Sequence, residues 1–194
     1  MALSPRCAPV LAAGAALCAL GLSFSAQTLI PRSTGDRLQV TAPGLHFLSG
    51  GALQRLHNGA SVPYDFQLTL STVPRGFPLE RALDRFVISY DLWEERFSAV
   101  EMRGARKTAS HLTPAAAESW CIGQMGVGES AAPAGSQLWL RLEVRAEDSA
   151  PVSPIGDSGL SLTGLIEIFS RSAPAQTQKW IAETQPFRLQ DLKR

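Results

Sequence analysis

"RFVISYDLWEERFSAVEM", residues 85–102, is the most strongly patterned stretch of the chain, and its reading decides the fold. Phe86, Ile88, Tyr90 and Leu92 alternate with mostly polar partners, a knot of acidic and basic residues follows, and the alternation then resumes. Period two is the spacing of a strand with one buried face, because successive side chains point to opposite sides. The stretch therefore reads as a strand, a tight turn near residues 92–95, and a returning strand. Asp91, Glu94 and Glu95 lie close together there. Paired carboxylates do acid/base work only when their surroundings differ, and a hairpin tip is uniformly wet. Arg85 and Arg96 read as cross-strand partners of these acids. If Leu92 points inward, alternation sends Trp93 outward near the tip, where an exposed indole on a rigid hairpin makes a binding anchor. In the competing reading a bulge turns Trp93 into the core.

The same period recurs on either side. In "SVPYDFQLTLSTV", residues 61–73, Val62, Tyr64, Phe66, Leu68 and Leu70 form one face, with Pro63 at the strand's beginning or edge because it lacks an N–H for the ladder. In "SQLWLRLEVRAED", residues 136–148, Leu138, Leu140, Leu142 and Val144 face inward and Arg141, Glu143 and Arg145 face water. Trp139 is out of phase with Leu138 and Leu140, so it raises the same question as Trp93. If both indoles share one outer face, that face covers a helix or a partner. Trp93, Trp139 and Tyr90 are the candidate binding residues.

"SGGALQRLHNG" predicts a short helix capped by Ser49 and closed by Gly59. "LTPAAAESWCIGQMG" predicts another, with Thr113 as N-cap, Pro114 at the first position and Gly126 at its end. "RLQVTAPGLHFL" offers two short strands broken at Pro43-Gly44, and "RGARKTAS" a turn and a short strand. "PRGFPLERALD" is a turn-rich connection, and residues 127–135 form a small-residue loop. "LSLTGLIEIFSR" has helical spacing with β-branched residues that also suit a strand, and "QKWIAETQPFRL" ends the fold as a strand. The expected fold is mainly β, an antiparallel β-sandwich-like domain with two or three short helices. The alternative is an α+β single antiparallel sheet with helices on one face.

The first 26 residues carry Arg6, an apolar run over residues 8–22, and small residues at Ser23, Ser25 and Ala26. That order is the signature of a secretory signal peptide, with cleavage after Ser25 or Ala26. The run of about 15 residues is short of the roughly 20 needed to span a bilayer. An uncleaved N-terminal anchor is the alternative. The expected organisation is a signal peptide at 1–26, a flexible leader at 27–37 and a single β-rich domain at 38–194, exported to the periplasm or outside the cell. Loss of Cys7 and Cys18 with the signal leaves only Cys121, so no internal disulfide is available. Removing Arg6 leaves 17 basic and 17 acidic residues, spread along the chain rather than clustered. Nucleic acid, which requires a concentrated positive face, is disfavoured as a partner. Arginine outnumbers lysine 15 to 3, a bias that points to a GC-rich, bacterial coding sequence.

The chemical motifs are weak. "GDSG", residues 156–159, resembles the nucleophile segment of trypsin-like proteases. A nucleophilic Ser158 would need a base among His46, His57 and His111, and none has the required local context. Asp-Ser-Gly in a proline-rich loop is ordinary turn composition. Cys121, mid-helix beside Trp120, reads as a buried small apolar residue. The histidines show no ligand spacing, so no metal is expected, and no phosphate loop is present, so no cofactor is expected.

The order of segments "ALQRLHNGASVPYDFQLTL", "FVISYDLWEERFSAVEM", "LTPAAAESW" and "QLWLRLEV" resembles a family of short exported bacterial proteins built on a DUF4390-like domain of unknown function. Tyr90 and Phe97 fall at matching aromatic positions, and the similarity runs over about residues 38–190, with a departure after Val144. The resemblance implies an envelope location and a β-rich fold, and supplies no catalytic residues. The expected function is a non-enzymatic exported binding or accessory domain of the bacterial cell envelope, touching an envelope protein through a sheet face. A small-molecule or lipid carrier is the alternative, and a serine hydrolase using Ser158 a remoter one.

Overall fold

The computed structural model describes residues 27–147 and 178–192. The expected signal peptide, Ser158 with its "GDSG" turn, and the "LSLTGLIEIFSR" segment lie outside them.

Nine strands are formed among the described residues: β1 Gln27–Thr34, β2 Arg37–Thr41, β3 Val62–Ser71, β4 Glu80–Asp91, β5 Arg96–Glu101, β6 Thr108–Leu112, β7 Gly126–Gly128, β8 Trp139–Ala146 and β9 Lys179–Thr184. They build one sheet in the order β6-β5-β4-β3-β8-β9-β1-β2-β7. The fold is mainly β and mostly antiparallel, and the sheet is not closed. Its β7 end folds back over the middle of the strand order: β7 lies against β3 and β4, and Gly128 N donates to Glu80 Oε1 at 3.0 Å. Helix α2, Pro114–Gln124, packs on β2 from one end of the strand order and on β5 and β6 from the other. The result is a sandwich-like roll with α2 across its mouth. Helix α1, Gly50–His57, covers β3 and β4.

β3 is the centre of the roll. Val62, Tyr64, Phe66, Leu68 and Leu70 are fully buried, and their strand partners Phe86 and Ile88 on β4, and Leu140, Leu142 and Val144 on β8, lie on the same inner face. Each such burial contributes about 1.5–3 kcal/mol before ordering costs. Phe47 stands edge-on to Tyr64 and to Phe66, both at 5.2 Å. Pro63 is the second residue of β3, where the ladder to β8 has not yet begun.

The outer face is held by charge. Arg85 reaches Asp65 at 2.7 Å and Glu147 at 3.1 Å, so its partners lie on neighbouring segments rather than at the hairpin tip as the sequence predicts. Arg141, Arg145 and Lys179 all pair with Glu143. Burial under these side chains raises the Glu143 carboxyl, but hydrogen bonds to Lys179 and Arg145 outweigh it and hold the group below its ordinary range.

Three local expectations are corrected. The leader at 27–37 is not a loose segment: residues 27–34 are β1, paired antiparallel to β2 and parallel to β9. Pro31 is accommodated because the β9 pairing stops at Leu29, leaving that side of β1 open. "LHFL" is not a strand. Leu45, Phe47 and Leu48 are buried from a coil segment, and Leu48 N is satisfied by Glu118 Oε1 at 2.8 Å instead of a ladder. Gly126 does not cap α2 but opens β7. A Cβ there would sit 3.2 Å from Arg37 Nη2 and 3.3 Å from Leu38 O, so a larger residue would require β2 to give by a few tenths of an ångström.

Candidate functional site

The β4–β5 hairpin ends at residues 92–95, and its turn is clamped from several directions. Asp91 Oδ1 accepts the N–H of Trp93 at 2.8 Å and of Glu94 at 3.0 Å. Those two bonds, Glu94's first, hold the Asp91 carboxyl below the usual carboxylate range, with His111 adding to the effect. Glu95 takes φ = 54°, the left-handed conformation that reverses the chain into β5. Glu94 Oε2 meets His111 Nδ1 at 2.8 Å, and His111 is itself left-handed at φ = 57° where the β5–β6 register shifts. Leu92 leans toward the end of α1, where a Cβ on Gly59 would lie 3.9 Å from its Cδ1.

The consequence is a fixed backbone with an unsupported side chain. Trp93 is 96% exposed. An indole normally buries 150–250 Å² when it packs, so this one presents a large apolar face to water at a point where ordering has already occurred. Around it stand Asp91, Glu94 and Glu95 against Arg96 and His111, leaving the tip acidic when His111 is neutral.

The other two candidate residues are elsewhere. Tyr90 is half-buried beneath α1, its ring 4.5 Å from that of His57 and 4.8 Å from that of Phe97. Trp139 is half-buried and pairs with Ser71 at the far end of β3, about 30 Å of strand from the Val62 end near the hairpin tip. The two indoles do not share a patch. The outer sheet face between them carries the ion pairs of Arg85, Glu143 and Arg141, with Leu83 and Ile181 as partly exposed apolar groups among them.

Compared with family models, curated proteins and solved structures, the chain finds no match.

The structure brings together three further constellations. His46, exposed, donates or accepts through Nδ1 at 3.0 Å with the buried Glu118. Asp84 and Glu101 meet on the inner face beside Arg37 and Arg103, at a cavity of about 170 Å³. Burial pushes the Asp84 carboxyl up, its backbone bond to Arg85 opposes this, and the neighbouring Glu101 adds to the rise. A larger, open cavity of about 440 Å³ lies between Ser33, Glu129, Pro133, Arg188, Leu189 and Leu192. Cys121 is fully buried, and desolvation raises its thiol well above the ordinary range. No group of three or more His, Cys, Asp or Glu is disposed to hold a metal among the described residues.

The residue that sequence reasoning missed is Phe77, which is also 96% exposed. Its signal was a lone aromatic between Gly76 and Pro78, a position with no strand or helix phase to carry it into the core.

Proposed function

We propose that this chain is a non-enzymatic exported binding domain of the bacterial cell envelope, which docks onto a protein partner through the Trp93 hairpin tip. The observation that carries the reading is an indole in water on a backbone fixed by Asp91, Glu95 and the Glu94–His111 pair. Such an anchor loses little entropy on binding, so most of its apolar burial appears as affinity. The partner that fits it is a protein groove with an apolar floor for the indole and a basic rim for Glu94 and Glu95. The signal-peptide pattern of the first 26 residues and the resemblance to exported proteins support an envelope location. Among the described residues, no helix is long and apolar enough to cross a membrane.

The test is a photo-crosslinking side chain at position 93 in cells that naturally produce the protein, with position 67 on the charged outer face as control. The expected result is one partner crosslinked from 93 and not from 67, whose capture by wild-type protein falls at least about tenfold with Trp93→Ala. Capture should also weaken with salt and with Glu94→Lys. Capture unaltered by Trp93→Ala, or a crosslink from 67 alone, would remove the tip as the docking site.

A further inference from the structure

The loop joining β3 to β4, residues 72–79, presents a second unsupported apolar group at the opposite end of the sheet. Phe77 is 96% exposed, Val73 53% and Leu79 39%. The loop is stiff. Pro74 and Pro78 fix two backbone torsions, Ser71 Oγ and Gly76 N both donate to Val73 O, and Leu79 N donates to Leu70 O at 2.8 Å. Arg75 holds φ = 55°, and Val73 lies over Gly76 so closely that a Cβ there would force its side chain to move. Arg75 lies within the loop and Arg81 two residues beyond Leu79 on β4, both exposed. Arg75 touches Glu183 at 3.5 Å while most of its side chain stays in water. The nearest acid in sequence, Glu80, points inward to Gly128 N.

We propose that this loop seats the protein on the surface of an anionic lipid bilayer, with Phe77 entering the interfacial region and Arg75 and Arg81 meeting phosphate head groups. A protruding loop tip with three apolar side chains and two guanidinium groups suits a soft, negatively charged plane, in which the apolar groups find cover without a shaped cavity. The Trp93 tip has the opposite character: its three carboxylates are repelled by the same surface. β4 spans twelve residues between the two ends, about 40 Å. With Phe77 at the membrane, Trp93 is held at roughly that distance from it, facing the aqueous compartment. This orientation goes beyond the docking reading and does not depend on it.

The test is flotation of the exported protein, as its cells process it, with vesicles of mixed phosphatidylglycerol and phosphatidylcholine against phosphatidylcholine alone. Phe77→Ser is expected to lower partitioning into the anionic vesicles roughly tenfold, the effect of withdrawing part of one phenyl burial. Arg75→Gln with Arg81→Gln should lower it on anionic vesicles and leave phosphatidylcholine unaffected. Trp93→Ala should change neither. In Phe77→Trp, brominated lipid should quench more emission than in the wild type, which reports insertion without requiring a loss of binding. Unchanged partitioning by folded Phe77→Ser, or no added quenching in Phe77→Trp, overturns the proposal. So does loss of a protein partner in Phe77→Ser with vesicle binding intact. Absence of any crosslink from position 93 in the otherwise unaltered protein, with vesicle binding intact, would count against the docking reading alone.

Discussion

The two ends of β4 expose the same kind of group by different means. At the Trp93 end, polar bonds fix the backbone: a carboxylate gathers two amides, a second carboxylate meets a histidine, and Glu95 bears a left-handed torsion. At the Phe77 end, the constraint is mainly covalent, through Pro74 and Pro78, with backbone bonds across the turn. The inner face beneath them differs in the same sense. Phe86, Ile88 and Tyr90 line it toward Trp93, while Glu80 and Asp84 line it toward Phe77. Polar clamps respond to pH and salt, and ring closure does not. One end is therefore adjustable and the other is fixed.

The largest expected effect lies between the ends. Phe66 is fully buried against Phe47 and Phe86. Phe66→Ala should cost about 3–5 kcal/mol, from lost burial and the cavity left behind. Chemical denaturation should show both ends losing structure in one transition. If the Phe77 loop unfolded separately, the two ends would not be supported by one core.

A smaller effect separates the clamps. Glu95→Gly should stabilise by about 0.5–1 kcal/mol, because glycine takes φ = 54° without the Cβ penalty and loses part of that gain to its freer unfolded chain. Arg75→Gly, at φ = 55°, should gain a similar amount and leave Trp93 untouched. A destabilised Glu95→Gly, measured by thermal unfolding, would mean that the Glu95 side chain supports the tip and that strain there is not the governing factor.

The smallest effect is local and acid-dependent. The Asp91 pKa is depressed in the folded state, so its contribution is present above the unfolded carboxylate pKa and is lost as pH falls through the lower folded value. Below the ordinary carboxylate range, amide exchange at Trp93 and Glu94 should accelerate relative to its intrinsic rate, while exchange at Gly76 and Leu79 stays unchanged. Equal acceleration at both ends would erase the distinction between them.

The strands that alternate cleanly were legible in the sequence because their inner residues are buried without interruption. β3 and β8 are the clearest cases. α2 was legible from Thr113, whose Oγ1 accepts Ala116 N at 3.3 Å, and from Pro114. α1 was legible too, although Ser49 holds the N-cap position with its hydroxyl turned to His46 O. Phase offered an outward Trp93 but did not favour it over a bulge that would turn it into the core, and the exposed indole overturns that competing reading. Its distance from Trp139 could not be read, since that depends on which residues of β3 each neighbouring strand pairs with. Phe47 misled because apolar content signals burial, not extended pairing, and here a coil segment supplies the core. The acids on the inner face of β4 were open to discovery: stepping back by two from Phe86 reaches Asp84 and Glu80. β1 was hidden by Pro31 and by its polar residues, and its pairing with β9 depends on a residue more than 150 positions away.

That pairing has a temporal meaning. β1 takes its place between β2 and β9, with Gln27 opposite Ala182 and Leu29 opposite Thr184. Among the described residues the first strand therefore waits for the last, and β1 has no neighbour on its β9 side until residue 184 has emerged. Loops closed over such separations are slow to form, and a chain that completes its sheet only at the end remains open for most of its synthesis. The same arrangement that ties β1 to β9 delays the moment at which the chain becomes a folded object.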